Sequence, residues 1–253
     1  MKHKINVLFL AVSVGLICLF FFETPYFIHL LVTVGLLFFI IMSFGVLFMK
    51  FNYFLHSVNR IKNDFVLLTF DDGPDPEKTQ IVLEILAKHN IKAVFFMVGN
   101  RAEQHPELVK RVVAEGHIIG NHSYAHNNFM SLFSKKKLKA DIEKSQTVLE
   151  GLSGRKIPFF RPPIGYTNPT YAKVLKEMNL TNIGWTLRSY DSVYKEPNKL
   201  IERLMSKIAL GNIVLLHDNL QVTVDSLDHF IAQASANGIK FANGDTIKTI
   251  QHA

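Results

Sequence analysis

The sequence predicts an α/β fold, a parallel sheet open or closed into a barrel, preceded by a transmembrane helical hairpin. Three observations point there. Short apolar or β-branched runs alternate with longer segments of helical period through most of the chain. The first fifth holds two apolar stretches, at 5–22 and 27–49, with no Lys, Arg, Asp or Glu. Ionisable side chains gather where the short runs end.

At about 1.5 Å rise, roughly 20 apolar residues cross a bilayer core, and both stretches approach or exceed that length. "ETPY" between them reads as a short polar turn. Residues 1–49 are therefore expected to form a two-span anchor in the cell membrane. Lys2 and Lys4 resemble the positive region of a signal peptide. No small-residue cleavage site follows before the second stretch, which favours an uncleaved anchor. Residues 50–63 read as a linker, and 64–253 as the soluble domain.

In that domain the short runs are "FVLLTF", "AVFFMVG", "HIIGN", "PFFR", "NIGWTL", "NIVLLH" and "IKFANG", seven expected strands. Between them lie six expected helices: "EKTQIVLEILAKH", "HPELVKRVVAEG", "KKKLKADIEKSQTVLEGL", "NPTYAKVLKEMN", "NKLIERLMSKIAL" and "VDSLDHFIAQASANG". In the first helix Ile81, Val82, Ile85 and Leu86 fall on one face. Asn168 before Pro169 reads as an N-cap, and Gly116 and Gly238 as C-terminal caps. No internal repeat or low-complexity tract interrupts the pattern.

The formal charge is +7, and Lys2, Lys4, Lys50, Arg60 and Lys62 flank the hairpin. That distribution suits anionic lipid headgroups or acidic polymers. It carries no zinc finger, basic helix or aromatic-basic RNA motif, so nucleic acid is excluded as a partner. The single Cys18 lies inside the first apolar stretch and excludes disulfides.

Asp71 and Asp72 end "VLLTF"; His122 and His126 follow "HIIG"; Arg161 ends "PFF"; Asp191 follows "IGWTL"; His217 and Asp218 end "IVLL". Five segments thus bring ionisable groups to the carboxyl ends of the expected strands, where parallel α/β folds place active sites. Taken singly, each has an ordinary reading: an Asp-Gly-Pro turn, two surface histidines, a chain bend, a buried strand meeting solvent. The His122–His126 spacing also puts two imidazoles on one side of a helical turn, which suits a divalent metal. Without a Glu at the second position it is not the metalloprotease helix.

In order, "TFDDGP", "HSYAH", "RPPIG", "WTLRSYD" and "LLHD" resemble the motifs of the polysaccharide deacetylase family, the NodB-homology or carbohydrate esterase family 4, across about residues 64–250. The resemblance implies a deformed (β/α) barrel of about seven parallel strands. It implies a metal-dependent hydrolase that removes N-acetyl groups from a peptidoglycan- or chitin-like polysaccharide. Asp72, His122 and His126 would hold a divalent metal, most commonly Zn2+, and water on that metal would attack the amide. Asp71 would be the general base, oriented and held ionised by Arg161. His217 would be the general acid, and Asp191 would support His217 or the Arg161 network. Leu215 would line the pocket for the acetyl methyl, and the Ile164 N–H would help hold the oxyanion.

Three positions depart from the family pattern. Ile164 stands where an aromatic is common, and Arg188 and Ser192 stand where the fourth motif often has Asp and Trp. The last two alter the charge and wall of the groove. Together with the anchor they keep open a lipid-linked amino sugar as the substrate of a deacetylase or deformylase. A non-catalytic, metal-stabilised sugar-binding barrel is a further reading, and Asp71 and His217 argue against it. Basic flanks outside both spans place the domain on the cytoplasmic side, whereas a wall polymer demands the opposite side.

Overall fold

The computed structural model describes residues 2–61 and 64–247. Lys62 of the basic flank and the 248–253 tail of the expected domain lie outside the described residues. Among the described residues eight parallel strands form one sheet: β1 (Ser57–Val58), β2 (Leu67–Asp71), β3 (Val94–Met97), β4 (Ile118–Asn121), β5 (Phe159–Phe160), β6 (Thr181–Ile183), β7 (Leu187–Arg188) and β8 (Ile213–His217). Their spatial order is β1-β6-β5-β4-β3-β2-β8-β7. β6 lies next to one edge and β7 forms the other, yet three residues, 184–186, connect them. Four residue steps span at most about 14 Å. The sheet must therefore curl into a half-barrel whose two edges nearly meet.

Side-chain alternation divides the barrel into an inside and an outside. Along β2, Leu68 and Phe70 pack outward with Phe95, Met97, Val214 and Leu216, beneath helix residues such as Val82, Leu86 and Phe230. Leu67 faces inward with Val94, Phe96, Ile118, Phe159 and Ile213. The same inward face continues through Thr69 to Asp71, and on β8 from Ile213 through Leu215 to His217. The interior is thus apolar at the amino ends of the strands and polar at the carboxyl ends. That gradient makes the upper end of the barrel a site.

The six expected helices are present as α3 (Lys78–Lys88), α5 (Pro106–Ala114), α6 (Lys135–Ser153), α7 (Pro169–Glu177), α8 (Pro197–Met205) and α9 (Gln221–Ala236). Asn168 caps α7 by accepting from the Tyr171 N–H at 2.9 Å, and Gly116 and Gly238 adopt left-handed φ just beyond α5 and α9. A short helix, α4 (Gly99–Gln104), was not expected. On α3 the buried face is Thr79, Val82, Leu83 and Leu86, and Ile81 is exposed, so the expected face is rotated.

The strand list also needs correction. The expected strand "NIGWTL" is two strands, β6 and β7, split at the crossing between the sheet edges. The expected linker contributes β1, which pairs with β6. "IKFANG" is not a strand: Phe241 makes one bridge to Val66. Its backbone is satisfied differently, with Val66 N–H donating to Lys240 O at 2.7 Å and Lys92 N–H to Ala242 O at 2.7 Å. The segment spans the bottoms of β2 and β3 and closes the barrel floor.

α1 (Lys2–Phe21) and α2 (Phe27–Leu47) form an apolar hairpin, each long and apolar enough to cross a membrane. Leu8, Phe9, Phe20, Phe39 and Phe44 are exposed. Both free ends of the hairpin return to the domain. Lys2 Nζ donates to Phe51 O at 2.7 Å, Asn6 Nδ2 to the Tyr53 hydroxyl at 2.7 Å, and Thr167 N–H to Val46 O at 3.2 Å.

Candidate active site

Arg161 emerges from β5 into the barrel and is fully buried. It donates through Nη1 to Asp71 Oδ1 at 2.6 Å and to Thr69 Oγ1 at 2.8 Å, through Nε to Ile183 O at 2.9 Å, and through Nη2 to Gly184 O at 2.9 Å. Its Cζ lies 4.1 Å from the Phe96 ring centroid. Burial pulls the guanidinium pKa down and the Asp71 carboxylate opposes that pull. A buried ion pair is tolerated when nearly every polar atom has a partner, and this one is so satisfied. The pair fixes the Asp71 carboxylate in place.

One residue on, Asp72 takes a left-handed backbone, φ 72°, and turns its carboxylate across the rim. Arg101 holds this turn by donating to the Asp72 carbonyl. Asp72 Oδ1 lies 2.9 Å from His126 Nε2 and 3.4 Å from His122 Nε2. The three ligand atoms fall within 4.8 Å of one another. Asp72 Oδ1 is nonetheless buried without a hydrogen bond of acceptable geometry. A buried carboxylate oxygen surrounded by two imidazoles, yet aligned with neither, is what a shared cation would explain. Burial opposes the Asp72 charge, but His122 and His126 outweigh it and hold its carboxyl well below the usual range.

The histidine segment is a loop, not the helical turn that the spacing implied. Residues 122–128 carry no helix, and Ser123 and His126 have φ of 69° and 47°. Asn121 Oδ1 accepts the Ser123 N–H at 2.9 Å, and Ser123 Oγ accepts the His126 N–H at 3.1 Å. His122 Nδ1 lies 2.7 Å from the Arg161 carbonyl, and an Nδ1–H donating to that oxygen leaves Nε2 free to ligate.

His217, at the end of β8, stands beside Asp71 in the sheet register. Its Nδ1 lies 2.8 Å from Asp191 Oδ1, and its backbone N–H donates to Asp191 Oδ2 at 2.7 Å. Thr223 Oγ1 also donates to Asp191 Oδ2, at 2.8 Å. Asp191 therefore belongs with His217 and not with Arg161. Burial opposes protonation of His217, but Asp191, with help from Asp71 and Asp72, pushes its pKa up to about 9.

Leu215 is buried on the same strand face as His217, two residues below it. Ile164 is partly exposed and has φ 63°, a strained value for a β-branched residue. Its N–H meets no acceptor among the described residues. Several neighbours were not foreseen. Thr69 was readable from strand alternation two residues before Asp71. Trp185 and Thr223 reach the site by tertiary packing, whereas Asp218, expected at the rim, turns beneath the Asp72 loop. Asp218 is buried against Gly73 and Thr79, and burial together with Asp72 pushes it up to about 7. A cavity of about 670 Å³ beside Phe65, Ile91 and Phe241 lies at the opposite end of the barrel.

The family described as Polysaccharide deacetylase matches residues 59–183. The Bc1960 peptidoglycan N-acetylglucosamine deacetylase, solved with a naphthalenyl N-oxidanyl-benzamide, superposes with a TM-score of 0.71 at 32% identity, covering 78% of this chain and 94% of that one. This chain belongs to the polysaccharide deacetylase family. A peptidoglycan-N-acetylglucosamine deacetylase of Bacillus cereus is 36% identical over 70% of this chain, which spans 65% of that relative's length. A third family member, from Bacillus anthracis, superposes with a TM-score of 0.69 at 30% identity, covering 74% of this chain and 67% of that one; it is described as a CE4 family pseudoenzyme. Membership in the polysaccharide deacetylases therefore does not by itself decide activity; the side chains must.

Proposed function

We propose that the protein is a membrane-anchored, metal-dependent deacetylase that removes acetyl groups from N-acetylated sugars of a peptidoglycan-like polysaccharide. The observation that supports this best is the orphaned Asp72 Oδ1 between His122 and His126, set beside two separately anchored proton carriers. One carboxylate and two imidazoles fit a catalytic divalent cation such as Zn2+ that keeps open positions. Such a cation supplies a Lewis acid for the amide carbonyl and lowers the pKa of water towards about 7.

The chain's own residues do the rest. Asp71, immobilised by Arg161, accepts the proton of the attacking water. The Ile164 N–H, free of other acceptors, helps hold the oxyanion. His217, kept protonated by Asp191, passes a proton from Nε2 to the departing sugar nitrogen, without which an amine is a poor leaving group. Its Nδ1–H remains on Asp191 and fixes the ring. Leu215 bounds the space for the acetyl methyl.

The full-length protein in non-ionic detergent is expected to release acetate from N-acetylglucosamine oligomers, to lose activity with a chelator and to regain it with zinc. Absence of acetate release, with metal bound, would leave the non-catalytic barrel as the better reading. A second substrate reading has its own support. The hairpin and the unusual Arg188 favour a lipid-linked amino sugar, which turnover of such a compound in preference to the oligomers would establish.

A further inference from the structure

A second cavity, of about 270 Å³, opens where the end of the hairpin meets the barrel. Its polar wall holds Lys50, Arg188 and Arg203, and its aromatic wall holds Trp185 and Tyr190. The Arg188 and Arg203 guanidinium carbons lie 5.1 and 5.2 Å from the centroid of the same Tyr190 ring. Among the described residues, no carboxylate lies within 4.0 Å of either guanidinium or of the Lys50 ammonium. Arg203 Nε is buried without any acceptor, and an Nη2 of the same group reaches the Arg188 carbonyl only at 3.5 Å. Three cations brought together without a counterion repel one another, and a buried donor without an acceptor costs free energy. An anionic phosphate group would relieve both.

The remaining wall comes from the hairpin. Phe48, exposed and immediately beyond α2, lines the cavity beside Lys50. An apolar surface ending in a cluster of cations is the arrangement that receives an anionic headgroup with its acyl or prenyl chain. The cavity also adjoins the chemistry. Trp185 lines it while its ring centroid lies 5.6 Å from Arg161 Cζ.

We propose that this cavity binds the phosphate or diphosphate headgroup of a membrane lipid, held by Arg188, Arg203 and Lys50, with the first part of its chain against Phe48. The inference rests on the hairpin lying in a membrane. It holds equally for a bulk anionic phospholipid and for the diphosphate of a lipid-linked sugar, because the recognised chemistry is the same.

Trp185 is the chain's single tryptophan and reports on the cavity directly. The full-length protein in non-ionic detergent is titrated with short-chain phosphatidylglycerol, farnesyl diphosphate, short-chain phosphatidylcholine and inorganic pyrophosphate while tryptophan emission is recorded. A saturable change is expected with the two anionic lipids, at least tenfold tighter than with pyrophosphate and absent with phosphatidylcholine. The Lys50→Gln/Arg203→Gln variant is expected to weaken lipid binding at least tenfold, while keeping wild-type turnover of soluble oligomers as proof of its fold. Tighter binding of farnesyl diphosphate assigns the site to a lipid-linked substrate; equal binding assigns it to bulk lipid. No saturable change, an unaltered response in the variant, or pyrophosphate binding as tightly as lipid overturns the proposal. Failure of the anchor reading shows separately, as release of the chain from membranes by alkaline wash.

Discussion

His217 is the residue whose behaviour the structure constrains most sharply. Its raised pKa depends chiefly on one neighbour, Asp191, working against burial. Because the folded value lies above the unfolded one, the stability this contact contributes is complete below about pH 6.5 and fades as pH rises through about 9. The general-acid role proposed for His217 needs the proton lost over the same interval, so activity should fall on the alkaline side. A cation held by Asp72, His122 and His126 would repel the imidazolium and draw that limb downward. Asp191→Asn is expected to move the limb down by a further ~1–3 units, read from the pH profile of kcat/KM at fixed zinc. Asp71→Asn keeps an oxygen for Arg161 but cannot take a proton, so kcat should fall ~10²–10⁴-fold. It also leaves a buried guanidinium without its counter-charge, and the melting temperature should drop. An Asp71→Asn enzyme of full activity would remove Asp71 from the base role. At this scale the sequence was informative, because short motifs name residues that chemistry demands. It could not show that Thr223 shares Asp191 or that Asp218 lies under the Asp72 loop, since those partners come from α9 and β8 by packing.

At the scale of elements, the strongest constraint is the turn after β2. A Cβ on Gly73 would lie 2.2 Å from Asp218 Oδ2 and 2.6 Å from Oδ1. Asp218 is itself buried and bonded to Thr79 Oγ1 at 2.6 Å, so it has little room to yield. Gly73→Ala is therefore expected to cost ~1–3 kcal/mol by overpacking and, by displacing Asp72, to weaken zinc binding. Thermal melts at graded zinc concentrations separate the two effects, and wild-type zinc dependence would show that the turn does not position Asp72. The long helices and the five-residue strands β2 and β8 were legible because they carry several repeats of their period. β1 and β7, two residues each, carry none, whereas the equally short β5 was marked by the apolar pair in "PFFR". β6 and β7 merged into one expected strand because the break between them is a consequence of the sheet curling, which no local pattern records. "IKFANG" alternates like a strand, yet neighbouring backbone at Val66 and Lys92 captures it as a floor. The His122–His126 spacing fits a helix and a loop equally, and the loop wins through Asn121 and Ser123 side-chain bonds to the backbone.

For the molecule as a whole, the hairpin and the barrel are connected at both ends of the hairpin. A Cβ on Gly45 would lie 2.2 Å from the Tyr53 ring, whose hydroxyl in turn receives Asn6 from the start of α1. Lys2 and Lys50 accordingly lie on the same side of the two apolar helices, together with the rim that carries the candidate active site. If both helices cross the bilayer, the amino terminus and the barrel must share a compartment. Cysteines introduced by Lys4→Cys and by Lys156→Cys, whose native side chain is 92% exposed, test this with a membrane-impermeant thiol reagent. Cys18, within the first apolar helix, is replaced by Ala beforehand. Both positions are expected to label together in intact cells, or together only after permeabilisation; labelling of one without the other would refute a two-span anchor. The compartment also bears on substrate. Basic residues on both flanks favour the inner face, where the acetylated sugar within reach would be a lipid-linked precursor held against the Arg188–Arg203 cavity. Labelling from outside would bring the rim to the wall polymer, with the same cavity holding the domain down on the lipid surface.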